Sequence, residues 1–248
     1  MRKIAIYGKG GIGKSTITSH IAASLAYRGK KVMQIGCDPK TDSTMNLLRG
    51  NPPTPILKYL DEHRDYQKLD EIAHIGFKGV VCFEVGGPTP GLGCAGRGII
   101  TAFELLDELG AYSKYSPDVV LYDVLGDVVC GGFAVPMREG YAKEVIIITS
   151  GEKLSLFAAR NIVTAIKNFA DMNYAKLTGL ILNKRNIKNE LKIVEDFANE
   201  IGTQIIGIIP RDNHINIAES QGKTTIELNP NLEISQIFIE LSKIILED

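Results

Sequence analysis

Charge imbalance is missing from this chain: 28 lysines and arginines stand against 29 aspartates and glutamates, a formal net charge of −1. A balance that near zero leaves no electrostatic footprint for nucleic acid or an anionic membrane. Long apolar runs are missing too; none approaches the roughly 18 residues of a membrane span. The first residues run straight into a strand-like segment with no leader pattern ahead of it, so a cytoplasmic protein is expected. Histidine and cysteine are scarce, four of each. His20, His63, His74 and His214 show no metal-ligand spacing and read as structural or solvated. A reducing cytosol argues against structural disulfides for Cys37, Cys82, Cys94 and Cys130, which leaves metal binding, catalysis or plain burial. The 248 residues, 44% hydrophobic and 23% charged, suit one sizeable soluble α/β domain spanning 1–248.

What is abundant near the N-terminus is glycine. Gly8-Lys9-Gly10-Gly11-Ile12-Gly13-Lys14-Ser15 fits the phosphate-binding loop, Gly followed by four residues and Gly-Lys-Ser. Ile4–Tyr7 before it reads as a buried strand; Ile17, Ile21 and Leu25 after it recur at helical spacing. In that context backbone N–H groups turn toward phosphate oxygens and the helix N-terminus adds partial positive charge. Lys14 is expected to reach the β- and γ-phosphates, Ser15 to hold Mg²⁺, and Thr16 to follow in the first helical turn. Lys9 is not needed to hold one nucleotide. It reads either as a solvated loop lysine or as a group reaching a nucleotide on a second copy of the chain.

Strands and helices alternate along the rest. Strand-like runs are Lys31–Ile35, Val80–Glu84, Val119–Tyr122, Val145–Ile148, Leu177–Leu182 and Ile205–Ile209. Helical runs fall near Ile56–His63, over Ile99, Phe103 and Leu106, and at Leu154–Phe169, Glu190–Ile201 and Ile234–Leu246. This is the pattern of a single-domain P-loop NTPase, a mostly parallel sheet with helices on both faces. Ligands of such sheets sit beyond the carboxyl ends of the strands. Asp38 and Asp42 follow the second strand there; one of them reads as a carboxylate that helps hold Mg²⁺ or orients the attacking water, the alternative for each being a capping aspartate in a turn. Asp123-x-x-Gly126 follows an apolar strand and reads as a nucleotide switch, with the carboxylate toward Mg²⁺ and the glycine amide toward the γ-phosphate. On that reading Gly126→Ala leaves nucleotide binding intact and breaks only the switch.

Cys94 and Cys130 lie in glycine-rich loops, Gly-Leu-Gly-Cys-Ala-Gly and Cys-Gly-Gly. Small neighbours let backbone approach a bulky inorganic group. A 4Fe–4S cluster usually takes four thiolates. Cys82 falls inside an apolar strand, where a cysteine is usually a small buried hydrophobe, and Cys37 directly precedes Asp38. Two well-presented thiolates per chain remain, and a symmetric dimer would supply four. Inert buried cysteines and a shared zinc site are the alternatives. Cys130 is four residues beyond Gly126, a span of at most roughly 14 Å, so a loop that moves on γ-phosphate loss would pull on a ligand.

These stretches together resemble the nitrogenase iron protein family. The matching residues are Gly8–Thr16, Gly36–Lys40, Gly86–Gly91, Gly93–Gly98, Tyr122–Phe133 and Pro210–Asn213. The resemblance implies a homodimer with one 4Fe–4S cluster held by Cys94 and Cys130 of both chains, and MgATP or MgADP on each subunit. It implies that Lys9 faces the other subunit's nucleotide. Asp38 and Asp127 match catalytic or switch positions, and Asp42 and Asp123 match Mg²⁺-side positions. Asn183, Pro210, Arg211 and Asp212 match the nucleobase region, and Arg97 matches an arginine that is ADP-ribosylated in some members. Segment Arg49–His74 resembles the nitrogenase members poorly. The implied activity is ATP-driven transfer of low-potential electrons from ferredoxin or flavodoxin to a larger nitrogenase or nitrogenase-like component, one acting on a tetrapyrrole included. A cluster carrier is a further alternative. ParA/MinD-like organisers share the two-lysine loop but lack the paired cysteine loops.

Overall fold

The computed structural model describes residues 1–63, 67–87, 95–126, 134–138, 141–168 and 175–247. The strands are β1 (Arg2–Tyr7), β2 (Val32–Gly36), β3 (His74–Ile75), β4 (Val81–Glu84), β5 (Val119–Asp123), β6 (Glu144–Thr149), β7 (Lys176–Asn183) and β8 (Ile205–Ile209). The helices are α1 (Lys14–Tyr27), α2 (Ile56–Glu62), α3 (Leu69–Ile72), α4 (Ala95–Glu108), α5 (Ala111–Tyr115), α6 (Val135–Arg138), α7 (Lys153–Asn168), α8 (Glu190–Ile201), α9 (Asn213–Ser220), α10 (Thr225–Leu228) and α11 (Glu233–Glu247). One eight-stranded sheet runs β3-β4-β2-β5-β1-β6-β7-β8. Its pairings are parallel except that of β3 with β4.

Nearly continuous apolar strands are what a sheet covered on both faces requires, and alternate residues serve the two sides. Ile4 and Ile6 of β1, Leu121 of β5 and Ile146 of β6 go to the face covered by α1 and α11. Ala5 and Tyr7, Tyr122 and Ile147 go to the face covered by α4, α7 and α8. Helix α1 is buried nearly all round, from Ile17 to Ala26, because it is wedged between the sheet and α11. Its Ala22, Ala23 and Ser24 keep it slim enough for that position.

Strand β1 lies between β5 and β6, while the chain leaves it for β2, two places away. The loops beyond β1 and β5 therefore diverge over a crevice, the usual ligand position of an open parallel sheet. In-register pairing sets Glu84, Gly36 and Asp123 in one row across β4, β2 and β5. Cys37 and Cys82 are both free and buried. The elements that periodicity does not show are short or poorly buried: α3, β3, α5, α6, α9 and α10. In α9 only Ala218 is buried, and Asp212 caps it by accepting from the His214 N–H at 2.7 Å.

His20 is fully buried and joins α1 to the start of α10. Its Nδ1 lies 2.7 Å from the Thr16 carbonyl, and its Nε2 accepts the Thr225 N–H at 3.0 Å. This arrangement uses the neutral ring with the proton on Nδ1. Burial lowers the His20 pKa to about 4, against the upward pull of the Thr16 bond. A depressed folded-state pKa gives stability that is complete above the unfolded value near 6.5 and is lost as pH falls toward 4. From pH 7 to pH 5 the wild type should lose about 2 kcal/mol more than a His20→Gln chain, read as the difference in urea-unfolding free energy. Equal losses in the two proteins would show that His20 is not the buried proton acceptor.

Candidate nucleotide site

The loop between β1 and α1 has the backbone that its glycines predict. Gly11 and Gly13 take left-handed φ values of 74° and 95°. A Cβ on Gly8 would stand 2.3 Å from the Ile148 carbonyl oxygen, and one on Gly13 would stand 2.8 Å from Asn183 Nδ2. Lys14 opens α1 and is buried. Lys9 reaches only the carbonyl of its neighbour Gly10, at 3.5 Å, among the described residues.

Two cavities meet over this loop. The larger, about 530 Å³, is lined by Gly10, Lys14, Ser15, Asp38, Lys40 and Asp42, among others. The smaller, about 210 Å³, is lined by Asn183, Arg185, Pro210, Arg211, Asp212 and Ile215, among others. Gly11, Gly13, Thr16 and Glu219 line both. A polar cleft thus runs from the carboxylates of the β2 loop, across the glycine loop, to the residues after β7 and β8. Its two ends match the phosphate and base ends of a nucleotide.

Asp123 is a buried charged group at the end of β5, near Lys14 and Ser15. Among the described residues neither of its carboxylate oxygens has a hydrogen-bond partner at ordinary length. Burial pushes its carboxyl above the usual range; Lys14 pulls it back, and the Ser15 and Ser43 hydroxyls act the same way at longer range. A buried carboxylate left with free lone pairs, beside a serine hydroxyl, is a fitting donor set for Mg²⁺ and its waters. Asp38 is held in a turn by the Lys40 N–H at 3.0 Å, and Asp42 is exposed to the cleft.

Gly126 lies on the glycine loop itself. A Cβ there would fall 2.0 Å from Gly8 O and 2.7 Å from Gly10 N. The added methyl of Gly126→Ala would therefore strike phosphate-loop backbone, and the expectation of intact nucleotide binding is corrected. Asn183 is engaged by the loop as well, donating from Nδ2 to Ile12 O at 2.7 Å.

Sequence reasoning passed over several contributors. Arg185 donates from Nη2 to Gly11 O at 2.8 Å, and Glu219 approaches the Thr16 hydroxyl at 3.5 Å. Glu190 accepts N–H bonds from Gly151 and from Arg185, at 3.1 and 3.0 Å, joining the loops after β6 and β7. Glu84 is fully buried, and burial pushes its carboxyl up to about 8 against the pull of its Thr44 bonds. The one available signal for Glu84 was a charge at the end of an apolar strand. Cys37, at the end of β2, is held as a thiol: burial and the charges of Asp123, Glu84 and Asp38 push it well above the ordinary range. Arg97 is exposed in the first turn of α4. Cys94, Asp127 and Cys130 lie outside the described residues.

Over residues 2–248 the chain matches the 4Fe-4S iron sulfur cluster binding proteins of the NifH/frxC family. The chain belongs to this family. It is 47% identical over 248 residues to the nitrogenase iron protein of Methanococcus voltae, covering 100% of this chain and 89% of that protein. Among solved structures, this NifH-family chain is similar to the MinD cell division protein of Aquifex aeolicus, with a TM-score of 0.74, 22% identity and coverage of 100% and 98%. The cell division ATPase MinD of Pyrococcus furiosus gives a TM-score of 0.76, 18% identity and coverage of 99% and 98%. Cobyrinic acid a,c-diamide synthase of Mycobacterium smegmatis gives 0.70, 17%, and coverage of 100% and 95%. At these identities the structural likeness carries the P-loop NTPase fold alone.

Gly126→Ala should destabilise the nucleotide-free chain by about 1–3 kcal/mol, the usual cost of forcing a methyl into packed backbone. A Cβ on Gly10 would have no neighbour within 4 Å among the described residues, so Gly10→Ala should unfold within about 0.5 kcal/mol of wild type. Thermal unfolding of the two variants reads the contrast; equal stabilities would show that the loop after β5 does not rest on the glycine loop.

Proposed function

We propose that this NifH-family chain is a MgATP-dependent electron-transfer protein, working as a homodimer with one 4Fe–4S cluster between the subunits. The observation that carries the nucleotide half is the buried Asp123 carboxylate, without a hydrogen-bond partner among the described residues, beside a phosphate loop of correct backbone form. The redox half rests on family membership and on 47% identity to a nitrogenase iron protein. Burial of Cys37 and Cys82 leaves Cys94 and Cys130 as the thiolate donors, two per chain, and a cluster of this type uses four.

Each group has a role in this reading. Backbone N–H groups of Gly10–Gly13 and the α1 N-terminus receive phosphate, and Lys14 adds the charge that β- and γ-oxygens need. Ser15, Asp123 and Asp42 hold the Mg²⁺ side, while Asp38 and Asp127 orient the attacking water. Gly126 reads the γ-phosphate, and the short path to Cys130 carries its movement on. Asn183, Pro210, Arg211 and Asp212 frame the base. Lys9, engaged only within its own loop among the described residues, faces the nucleotide of the other subunit. Leu154 and Phe157 begin α7 one turn apart and are 69% and 62% exposed, an apolar edge suited to a second copy. The cluster supplies one-electron chemistry at low potential.

Ferredoxin or flavodoxin is the donor in this reading, and the acceptor is a larger nitrogenase or nitrogenase-like component. A tetrapyrrole-reducing system is the second acceptor class, and an ATPase that carries or inserts clusters is the rival function. No helix among the described residues is long and apolar enough to cross a membrane, and we place the protein in the cytoplasm, with no nucleic-acid partner. Arg97, exposed beside the Cys94 loop in sequence, is available for covalent modification.

Iron and sulfide analysis tests the ligand set. Cys94→Ala and Cys130→Ala should each lose the cluster and stay folded, while Cys37→Ala and Cys82→Ala keep it. Iron retained by the first pair, or lost by the second, defeats the assignment. Coupling is tested by iron removal with bipyridyl. MgATP should speed chelation well beyond MgADP, because a ligand shifts a conformational equilibrium by its differential affinity for the two states. Identical rates with MgATP, MgADP and no nucleotide would remove the switch from the free dimer.

A further inference from the structure

The loop after β2 carries Asp38 and Asp42, and its far end is held by an unusual amount of buried polar structure. Ser43 and Thr44 are both buried. The Ser43 carbonyl accepts from Ser19 Oγ of α1 at 2.7 Å and from Gln34 Nε2 of β2 at 2.9 Å. Thr44 is held from the third side by Glu84. One carboxylate oxygen, Oε1, accepts both the Thr44 N–H at 2.7 Å and the Thr44 hydroxyl at 2.8 Å. Two bonds to one oxygen fix both the backbone and the side chain of the residue two places after Asp42.

The rest of Glu84 is shaped for that task. It pairs across Gly36 with the row that ends at Asp123. A Cβ on Gly36 would stand 2.0 Å from Oε2, so glycine there makes room for the carboxyl. Among the described residues Oε2 has no hydrogen-bond partner. Beyond Glu84 the chain stays packed on the same loop: a Cβ on Gly87 would lie 2.8 Å from Pro39 Cβ, and one on Gly86 would lie 2.8 Å from Pro55 Cβ. The Val85 N–H donates to Gly36 O at 2.8 Å. The end of β4 and the loop after β2 therefore form one packed body beside the cation side of the cleft.

We propose that Glu84 is a positioning residue for the divalent cation: by clamping Thr44 it sets Asp38 and Asp42 against Asp123. The proposal rests on the MgATP reading above and adds to it a residue that touches neither nucleotide nor metal. Its acceptor oxygen, not its charge, is what Thr44 uses. A glutamine keeps that acceptor, whereas alanine removes it. Thr44→Val removes one of the two bonds from the other side and leaves Glu84 untouched.

ATP binding to the purified chain, with Mg²⁺ and with EDTA in its place, separates the terms. Glu84→Ala should weaken MgATP binding about tenfold or more, the range seen when a partner of a metal ligand is removed. Thr44→Val should weaken it in the same direction and by less. Metal-free ATP binding should be unchanged in both, and Glu84→Gln should stay within about threefold of wild type for MgATP. Should Glu84→Ala fail to fold, Thr44→Val and Glu84→Gln still decide the matter. Equal loss with and without Mg²⁺ would reduce Glu84 to a structural residue and overturn the proposal. So would a Glu84→Gln as weak as alanine, which would mean that the carboxylate charge acts on the cation itself, or an unaffected Thr44→Val. A wild type whose ATP binding ignores Mg²⁺ fails at the earlier step, the nucleotide reading, and the proposal falls with it.

Discussion

An ionised carboxylate without partners is among the most costly things a protein can bury, roughly several kcal/mol even after relaxation. Asp123 is buried at the end of a central strand, with neither carboxylate oxygen hydrogen-bonded among the described residues. Its backbone is committed, with the carbonyl accepting the Cys37 N–H at 2.9 Å, so the residue cannot swing out to water without breaking the sheet edge. Lys14 relieves part of the charge, and burial still keeps the carboxyl above its usual range. The remaining imbalance is what a divalent cation would remove. The carboxylates of Asp38 and Asp42, the phosphate loop and the Ser15 hydroxyl are arranged around that deficit.

The same crowding explains why the nucleotide end is sensitive to shape. Gly8 is wedged against Ile148 O, Gly13 against Asn183, and Gly126 against Gly8 and Gly10. The glycine loop is thus closely packed against the end of β6, the Asn183 side chain at the end of β7, and Gly126 after β5. Packed backbone has few intermediate arrangements, so a change at the γ-phosphate position is passed to a neighbour as a displacement. On the proposed reading the loop after β5 receives it at Gly126, whereas the loop after β2 is held against the sheet by buried hydrogen bonds from Glu84, Gln34 and Ser19. That anchoring would keep Asp38 and Asp42 in place on the cation side.

Most of the sheet and the phosphate loop were legible because each has a short-range signature. Apolar runs gave the strands to within a residue or two, and β8 and α8 to the residue. What escaped notice depends on contacts between distant segments. The clamp of Glu84 on Thr44 spans 40 residues, and that of Glu190 on Gly151 spans 39. Neither leaves a mark in local composition. Helix α9 escaped because only one of its residues is buried, so its apolar period is faint. Gly126 shows the limit from the other side: the motif suggests a γ-phosphate role, but only the packing shows that a methyl would strike the loop backbone.

The fold by itself does not separate a redox protein from a spatial organiser, since MinD proteins at 18–22% identity share it over nearly their whole length. The separation has to come from residues that the fold does not need. Cys37 and Cys82 meet ordinary packing requirements, one at a strand end and one inside a strand, and burial raises both thiols out of the thiolate range. They would serve equally well in an ATPase without a cluster. Cys94 and Cys130 are different in kind, because glycine-flanked loops have no packing use for a cysteine. A single chain holds two such thiols and a cluster of this class wants four. The proposed redox role and the proposed dimer therefore stand or fall together: on that reading a monomer would have an ATP site but an incomplete cluster site, and a second chain would complete the cluster and bring each Lys9 toward the nucleotide of its neighbour.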